Sequence, residues 1–190
     1  IYDRLVGSEM CIRDSIEGFL TGQIVQFVSN LHTTPRPIWL TRHGQSEANV
    51  AGRIGGDTPL SPAGRQYAQR LARFLNDRVG ESVTIWTSTL QRTIETGEAL
   101  GRPTNALKLL DEIDAGVCDG MTYAEIQRLM PDDYAARAED KLRYRYPRGE
   151  SYEDVIRRLN PALLELERQR GPILVIAHQA VLRTLYAYFA

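Results

Sequence analysis

The chain has 190 residues, enough for one domain with a sizeable core, and its 43% hydrophobic and 25% charged content is that of a globular protein. A net charge of −1 excludes nucleic-acid or membrane-surface binding driven by overall charge, though not a local basic pocket. Two cysteines, Cys11 and Cys118, and three histidines show neither a disulfide framework nor a zinc spacing, so no metal or cofactor is expected and a reducing, cytoplasmic setting is the default.

Residues 1–15, IYDRLVGSEMCIRDS, lack a secretory pattern and read as a non-native scar outside the fold. No later run approaches the ~20 apolar residues needed to cross a bilayer. From residue 16, Ile16, Phe19, Leu20, Ile24, Phe27, Val28 and Leu31 recur at helical spacing, which predicts an amphipathic helix over 16–31. His32, just beyond it, matches no motif and reads as structural or exposed. Pro35 and Pro37 then break the chain before a first strand at 38–41.

The stretch RIGGDTPLSPAG (53–64) reads as loop, with Ser61 as N-cap and Pro62 at the first helical position. The helix it starts should run to about Val79, burying Tyr67, Leu71, Phe74 and Leu75, with Gly80 as its stop. VTIWTS (83–88) is β-branched and aromatic, so it predicts a second strand, and 89–100 a helix. EIDAGVCDGMT (112–122) looks extended or looped. Thr122 and Glu125 form a capping box for a short helix ending before Pro131, and Ser151 with Asp154 starts another that runs to about Arg170, with Pro161 as a kink or break. PILVIAH (172–178) is the most apolar strand, followed by a last helix from about Gln179.

Strands alternating with helices imply an α/β fold: three α/β/α layers around a mostly parallel sheet. Ligands of such sheets bind at the carboxyl ends of strands. His43 and His178 each end a strand, and Arg92 follows the strand that closes on Thr87-Ser88. Three distant segments therefore aim Arg42, His43, Arg92 and His178 at one place. Two arginines and two histidines near helix N-termini suit an anion, most naturally phosphate. Neighbouring cations should depress the histidine pKa values, leaving a neutral imidazole able to attack phosphorus and form a phosphohistidine at His43. Glu112 is the candidate proton donor to the leaving group; spacing alone does not bring it to the pocket.

Five ordered blocks, LTRHGQSEAN, TSTLQRTIET, EIDAGVCDGMTY, YRYPRGESYEDV and VIAHQAVLR, resemble the histidine phosphatase superfamily, with its phosphoglycerate mutase-like fold. The nearest resemblance is to its fructose-2,6-bisphosphatase branch, the C-terminal half of bifunctional 6-phosphofructo-2-kinase/fructose-2,6-bisphosphatases. That resemblance covers Ile16 to Ala190, with 16–37 as a kinase-to-phosphatase junction and 38–190 as the phosphatase domain. It implies His43 as nucleophile, Arg42 and Arg92 as phosphate-binding arginines, Glu112 as acid/base and His178 as second histidine. Asn49 and Gly55 would touch substrate near the departing phosphate. Tyr123, Arg137, Lys141, Tyr152, Gln179 and Arg183 would hold the phosphate retained on carbon 6, with the basic stretch 139–152 as its anchor. The substrate implied is a small sugar bisphosphate, with no nucleic acid, membrane, metal or cofactor, in a parent that could pair as a homodimer through its kinase half.

Two departures stand out. There is no Walker-type GxxxxGK[ST], so no kinase activity is expected of this chain. The chain also stops at LYAYFA, short of a final sheet segment of the family, which would leave strand edges exposed. Three readings stay open: a fructose-2,6-bisphosphatase; a phosphoglycerate mutase or broad phosphomonoesterase of the same superfamily; and a non-catalytic sugar-phosphate binder.

Overall fold

Five consecutive apolar residues, Ile173–Ala177, make a strand whose every side chain is buried. A strand apolar on both faces needs cover on both, and the other elements provide it. The computed structural model describes residues 18–31, 34–79 and 82–190. Within these, α1 spans Phe19–Asn30, β1 Ile38–Arg42, α2 Glu47–Val50, α3 Pro62–Arg78, β2 Thr84–Thr87, α4 Gln91–Glu98 and β3 Thr104–Ala106. Two 3₁₀ turns, Lys108–Leu110 and Gly116–Cys118, lead to α5 (Tyr123–Leu129), α6 (Pro131–Glu139), α7 (Tyr152–Arg168), β4 (Ile173–Ala177) and α8 (Gln179–Phe189). The strands lie in the order β1-β4-β2-β3, and all pairings are parallel.

Alternation along β4 divides the core in two. Ile173, Val175 and Ala177 pack with Trp86 against Val155, Leu159, Leu163 and Leu166 of α7 and Val181 and Leu185 of α8. Leu174 and Ile176 face the other way, joining Ile85, Leu75 of α3 and Leu100 beyond α4. The expected three-layer α/β/α arrangement with a parallel sheet is thus present. Register then fixes where chemistry can occur. Arg42 pairs with Ala177 and Thr87 with Ile176, so β1, β4 and β2 end nearly level. The residues that follow them, His43, His178 and Ser88, emerge side by side.

Helix starts follow the sequence signals. Ser61 accepts from Gly64 N at 3.1 Å, with Pro62 at the first helical position. Reciprocal capping boxes join Thr122 to Glu125 and Ser151 to Asp154. Other expectations need correction. The helix from Tyr152 continues through Pro161 to Arg168 rather than breaking there. Tyr67 and Phe74 are exposed, because α3 turns Gly64, Ala68 and Leu75 inward. Phe74 instead meets the edge of Trp39 at the rim, with ring centroids 5.9 Å apart. Strand β3 was not foreseen: TNA is short, half-polar and lies at the sheet edge. Helix α6 was missed too, although Pro131 opens it and Asp132 and Asp133 fill its first turn. Helix α1 buries no residue, leaving Phe19, Leu20, Ile24 and Val28 exposed; periodicity reports a helix, not what covers it. Residues 1–17, His32 and Gly80 fall outside the described residues. Among the described residues no helix is long and apolar enough to cross a membrane.

One close backbone approach holds the loop after β1. A Cβ on Gly64 would lie 2.1 Å from Gln45 O, and one on Gly44 would lie 2.5 Å from Gly64 O. Helix α3 therefore presses directly on the segment that carries His43. Alanine at an ordinary helix position stabilises by about 1 kcal/mol relative to glycine. Here Gly64→Ala is expected to destabilise by roughly 1–3 kcal/mol through overpacking, read as a lower urea midpoint. An unchanged or raised midpoint would show that the loop yields.

Candidate active site

His43 extends the parallel ladder by one residue, its N–H donating to Ala177 O at 3.2 Å. Its ring is buried, with Nδ1 2.6 Å from Gly44 O. A carbonyl only accepts, so Nδ1 carries the proton and Nε2 keeps its lone pair. The Arg92 Nε–H donates to that lone pair at 3.2 Å, while Arg92 Nη1 donates to Gly56 O at 2.6 Å. Thr96 ties the assembly together: it accepts from Gly44 N at 3.1 Å and donates to Arg92 O at 2.7 Å. His178, at the N-cap of α8, is fully buried, and its ring centroid lies 5.0 Å from that of His43.

Burial is the main reason that His43 is held down to about 4. The hydrogen bond to Gly44 pulls the other way, and Arg92 and Arg42 lower it further. Burial, with Arg92, His43 and Arg42 behind it, also pushes His178 far below the usual imidazole range. The cations therefore act as expected, but desolvation is the larger cause. Both rings are neutral near pH 7.

Glu112 reaches this place from the segment after β3. Its Oε2 accepts from Gln179 N and its Oε1 from Ala180 N, both at 3.1 Å, at the start of α8. Ile113 N adds a third donor at 3.0 Å. A helix N-terminus is a favourable seat for a carboxylate. No spacing rule links residues 112 and 179, so only the folded chain shows the pairing.

A cavity of about 590 Å³ is lined by Arg42, His43, Asn49, Gly55, Arg92, Glu112, Tyr123, Arg137, Lys141, Tyr152, Gln179 and Arg183. Twelve of the thirteen residues singled out from the sequence meet there, and His178 lies buried behind them. Most cations of the cavity differ from those elsewhere. Among the described residues Arg42, Arg92, Arg137, Lys141 and Arg183 make no ion pair. Arg53, which also lines the cavity, pairs with Glu125 at 3.8 Å, and Arg36, Arg65, Arg143, Arg145, Arg157, Arg158 and Arg168 each pair with a carboxylate. Arg137 instead lies over the rings of Tyr123 and Tyr146, at 5.3 and 5.5 Å, and Arg183 donates to Tyr152 Oη at 3.3 Å. Aromatic support orients a guanidinium without neutralising it. The stretch 139–152 is thus a divided anchor: Lys141 and Tyr152 line the cavity, while Arg143 and Arg145 are engaged by Asp140, Glu153 and Asp154.

Asn49 and Gly55 have structural duties as well. Asn49 closes the capping box of α2 with Ser46. Gly55 has φ 67°, and a Cβ there would collide with the Asp119 carboxylate, which accepts from Gly56 N at 2.7 Å. Four contributors were not foreseen: the Gly56 carbonyl, Asp119, Tyr146 and Ser88. Ser88 was detectable, since it closes the second predicted strand at the same sheet edge as both histidines. Tyr146 was hidden within a segment that reads as basic.

Comparison with known proteins fits this geometry. A family model described as the histidine phosphatase superfamily (branch 1) matches residues 38–190. The chain is 59% identical over 180 residues to a 6-phosphofructo-2-kinase/fructose-2,6-bisphosphatase of Arabidopsis thaliana, which covers 93% of this chain and 24% of that protein. It is 55% identical over 170 residues to human 6-phosphofructo-2-kinase/fructose-2,6-bisphosphatase 4, covering 90% of this chain and 36% of the relative. The chain therefore spans about a quarter of one of these relatives and just over a third of the other. Among solved structures, YhfR of Bacillus stearothermophilus superimposes with a TM-score of 0.74 at 34% identity, over 82% of this chain and 80% of that one. The alpha-ribazole phosphatase of Shigella flexneri gives 0.72 at 27% identity, over 80% and 78%. With its parallel sheet, its two buried imidazoles and its family match over 38–190, the chain belongs to the histidine phosphatase superfamily, in the branch 1 group.

Proposed function

We propose that this cavity hydrolyses the C2 phosphate of fructose 2,6-bisphosphate, giving fructose 6-phosphate and phosphate through a phosphohistidine at His43. The observation that carries the reading is a neutral Nε2 lone pair beside five cavity cations, Arg42, Arg92, Arg137, Lys141 and Arg183, that make no ion pair among the described residues. Such cations suit a ligand with two well-separated dianions, and relatives at 59% and 55% identity carry names that include fructose-2,6-bisphosphatase.

In the first half-reaction Nε2 of His43 attacks phosphorus and the bond from phosphorus to the C2 oxygen breaks. Glu112, which enters the cycle having taken up a proton beside the incoming phosphate dianions, gives the leaving oxygen that proton. In the second half water attacks the phosphohistidine, Glu112 takes a proton from it, and phosphate leaves with His43 neutral again. Proton transfer of this kind typically contributes about 10²–10⁴-fold. Arg92 Nε, which caps the His43 lone pair at 3.2 Å, turns to a phosphoryl oxygen as substrate enters, and Arg42 shares the charge. His178 donates to the same group. Asn49 and Gly55 contact the substrate near the reacting phosphate. Tyr123, Arg137, Lys141, Tyr152, Gln179 and Arg183 hold the C6 phosphate, so that only the C2 phosphate meets His43.

The roles separate kinetically. Arg137→Ala should raise KM for fructose 2,6-bisphosphate with kcat within a few-fold of wild type, because the interaction it removes is made equally in ground and transition states. Arg92→Ala should lower kcat by roughly 10²–10³. Turnover of phosphoglycerates at comparable efficiency, with Arg137→Ala silent, would instead support a mutase or broad phosphomonoesterase; binding of the bisphosphate without turnover would support a non-catalytic binder.

The neutral nucleophile also has a pH signature. The His43 pKa is lowered to about 4 from an ordinary 6.5, so between those values the unfolded chain binds the proton more readily than the folded one. Stability therefore falls as pH drops from about 6.5 toward 4. Nitrogen-15 NMR of histidine-labelled protein should show His43 uncharged at pH 6. A His43 midpoint near 6.5 would contradict a desolvated nucleophile.

A further inference from the structure

Ser88 and Thr93 form a hydroxyl pair behind His178. Ser88 Oγ lies 2.7 Å from His178 Nε2, 2.7 Å from Thr93 Oγ1 and 3.1 Å from Leu90 N. Thr93 Oγ1 can also donate to Leu90 O at 2.7 Å or Ser88 O at 3.2 Å. All three side chains are fully buried. The remaining ring nitrogen, His178 Nδ1, is buried with no protein partner, and it belongs to the ring 5.0 Å from the His43 ring.

Two hydrogen-bond arrangements satisfy this cluster with the same number of protons. In one, Thr93 donates to Leu90 O, Ser88 donates to Thr93, and His178 Nε2–H donates to Ser88, leaving Nδ1 as a bare acceptor. In the other, Thr93 donates to Ser88, Ser88 donates to His178 Nε2, and Nδ1 carries the proton. Leu90 N donates to Ser88 Oγ in both. The arrangements differ only in two hydroxyl orientations and in the tautomer of one imidazole. A phosphoryl group within reach of Nδ1 would favour the second, since Nδ1–H is then a donor, whereas a bare Nδ1 would meet its oxygens lone pair to lone pair.

We propose that Ser88 is a positioning residue that holds His178 in the Nδ1–H tautomer whenever a phosphoryl group occupies the site, with Thr93 as the alternative acceptor for its proton. The inference rests on the phosphatase reading above. Removing the Ser88 hydroxyl leaves Nε2 without its donor and lets the tautomers mix. Removing the Thr93 hydroxyl has the opposite consequence. Ser88 then loses its alternative acceptor, and its proton is left with His178 Nε2.

Nitrogen-15 NMR of histidine-labelled protein, with and without saturating inorganic phosphate, tests this. Wild type with phosphate should show His178 protonated at Nδ1. Ser88→Ala should show averaged or reversed nitrogen shifts, and the near-isosteric Thr93→Val should retain the Nδ1–H form. In turnover, Ser88→Ala should lower kcat roughly tenfold with KM little changed, short of the 10²–10³ lost with a whole oxyanion donor, and Ser88→Thr should recover part of it. An Nε2–H tautomer in phosphate-bound wild type overturns the proposal, as does an unchanged tautomer in Ser88→Ala. If Ser88→Ala fails to fold, Thr93→Val decides, and an Nε2–H form there refutes the hydroxyl pairing. Failure of the phosphatase reading shows differently, as wild type that binds the bisphosphate without turning it over.

Discussion

The hydrogen bond from His43 Nδ1 to the carbonyl of Gly44, 2.6 Å long, decides which nitrogen of that buried ring is free. That bond exists because the chain turns sharply after β1, and the turn is held by glycines pressed together where α3 meets the loop. A side chain at Gly44 or Gly64 would push the loop away and the ring with it. The same loop is anchored to Arg92 through Thr96. The orientation of one imidazole is thus tied to the packing of a helix from each of two later segments, and the chemistry inherits its precision from backbone contact.

Charge and burial cooperate at this site in a particular way. Cations alone would lower a histidine pKa only modestly in water, because solvent screens them. Burial removes that screening and itself disfavours the charged ring, which is why desolvation leads the causes at both histidines. Among the described residues five cavity cations, Arg42, Arg92, Arg137, Lys141 and Arg183, stay without an ion pair, at some cost in self-repulsion. Aromatic rings and backbone carbonyls hold them in place where carboxylates would cancel them. The one carboxylate poised at the centre, Glu112, is occupied by the N–H groups that open α8 rather than by an arginine.

Much of this was legible in the sequence, for identifiable reasons. Short apolar runs ending in polar residues marked β1, β2 and β4, and the parallel-sheet rule put His43, Arg92 and His178 at one edge. Capping signals at Ser61, Thr122 and Ser151 gave true helix starts because they depend on residues three apart. What failed depends on distant partners. Nothing near Phe74 says that α3 rotates it to a rim beside Trp39. Nothing near TNA reveals the edge position that makes it a strand. The seat of Glu112 and the Ser88–His178 contact span 67 and 90 residues, beyond any local pattern. Resemblance supplied a role for Glu112 but neither contact.

The most direct test of the account is the position of the phosphoryl group on the nucleophile. Protein quenched during turnover of fructose 2,6-bisphosphate and unfolded in alkali can be examined by phosphorus-31 and nitrogen-15 NMR, which distinguish the two phosphohistidine isomers. The proposed reaction puts phosphate on Nε2 of His43, the nitrogen left free by the bond to Gly44. Phosphate on Nδ1, or turnover without any phosphohistidine, would contradict it.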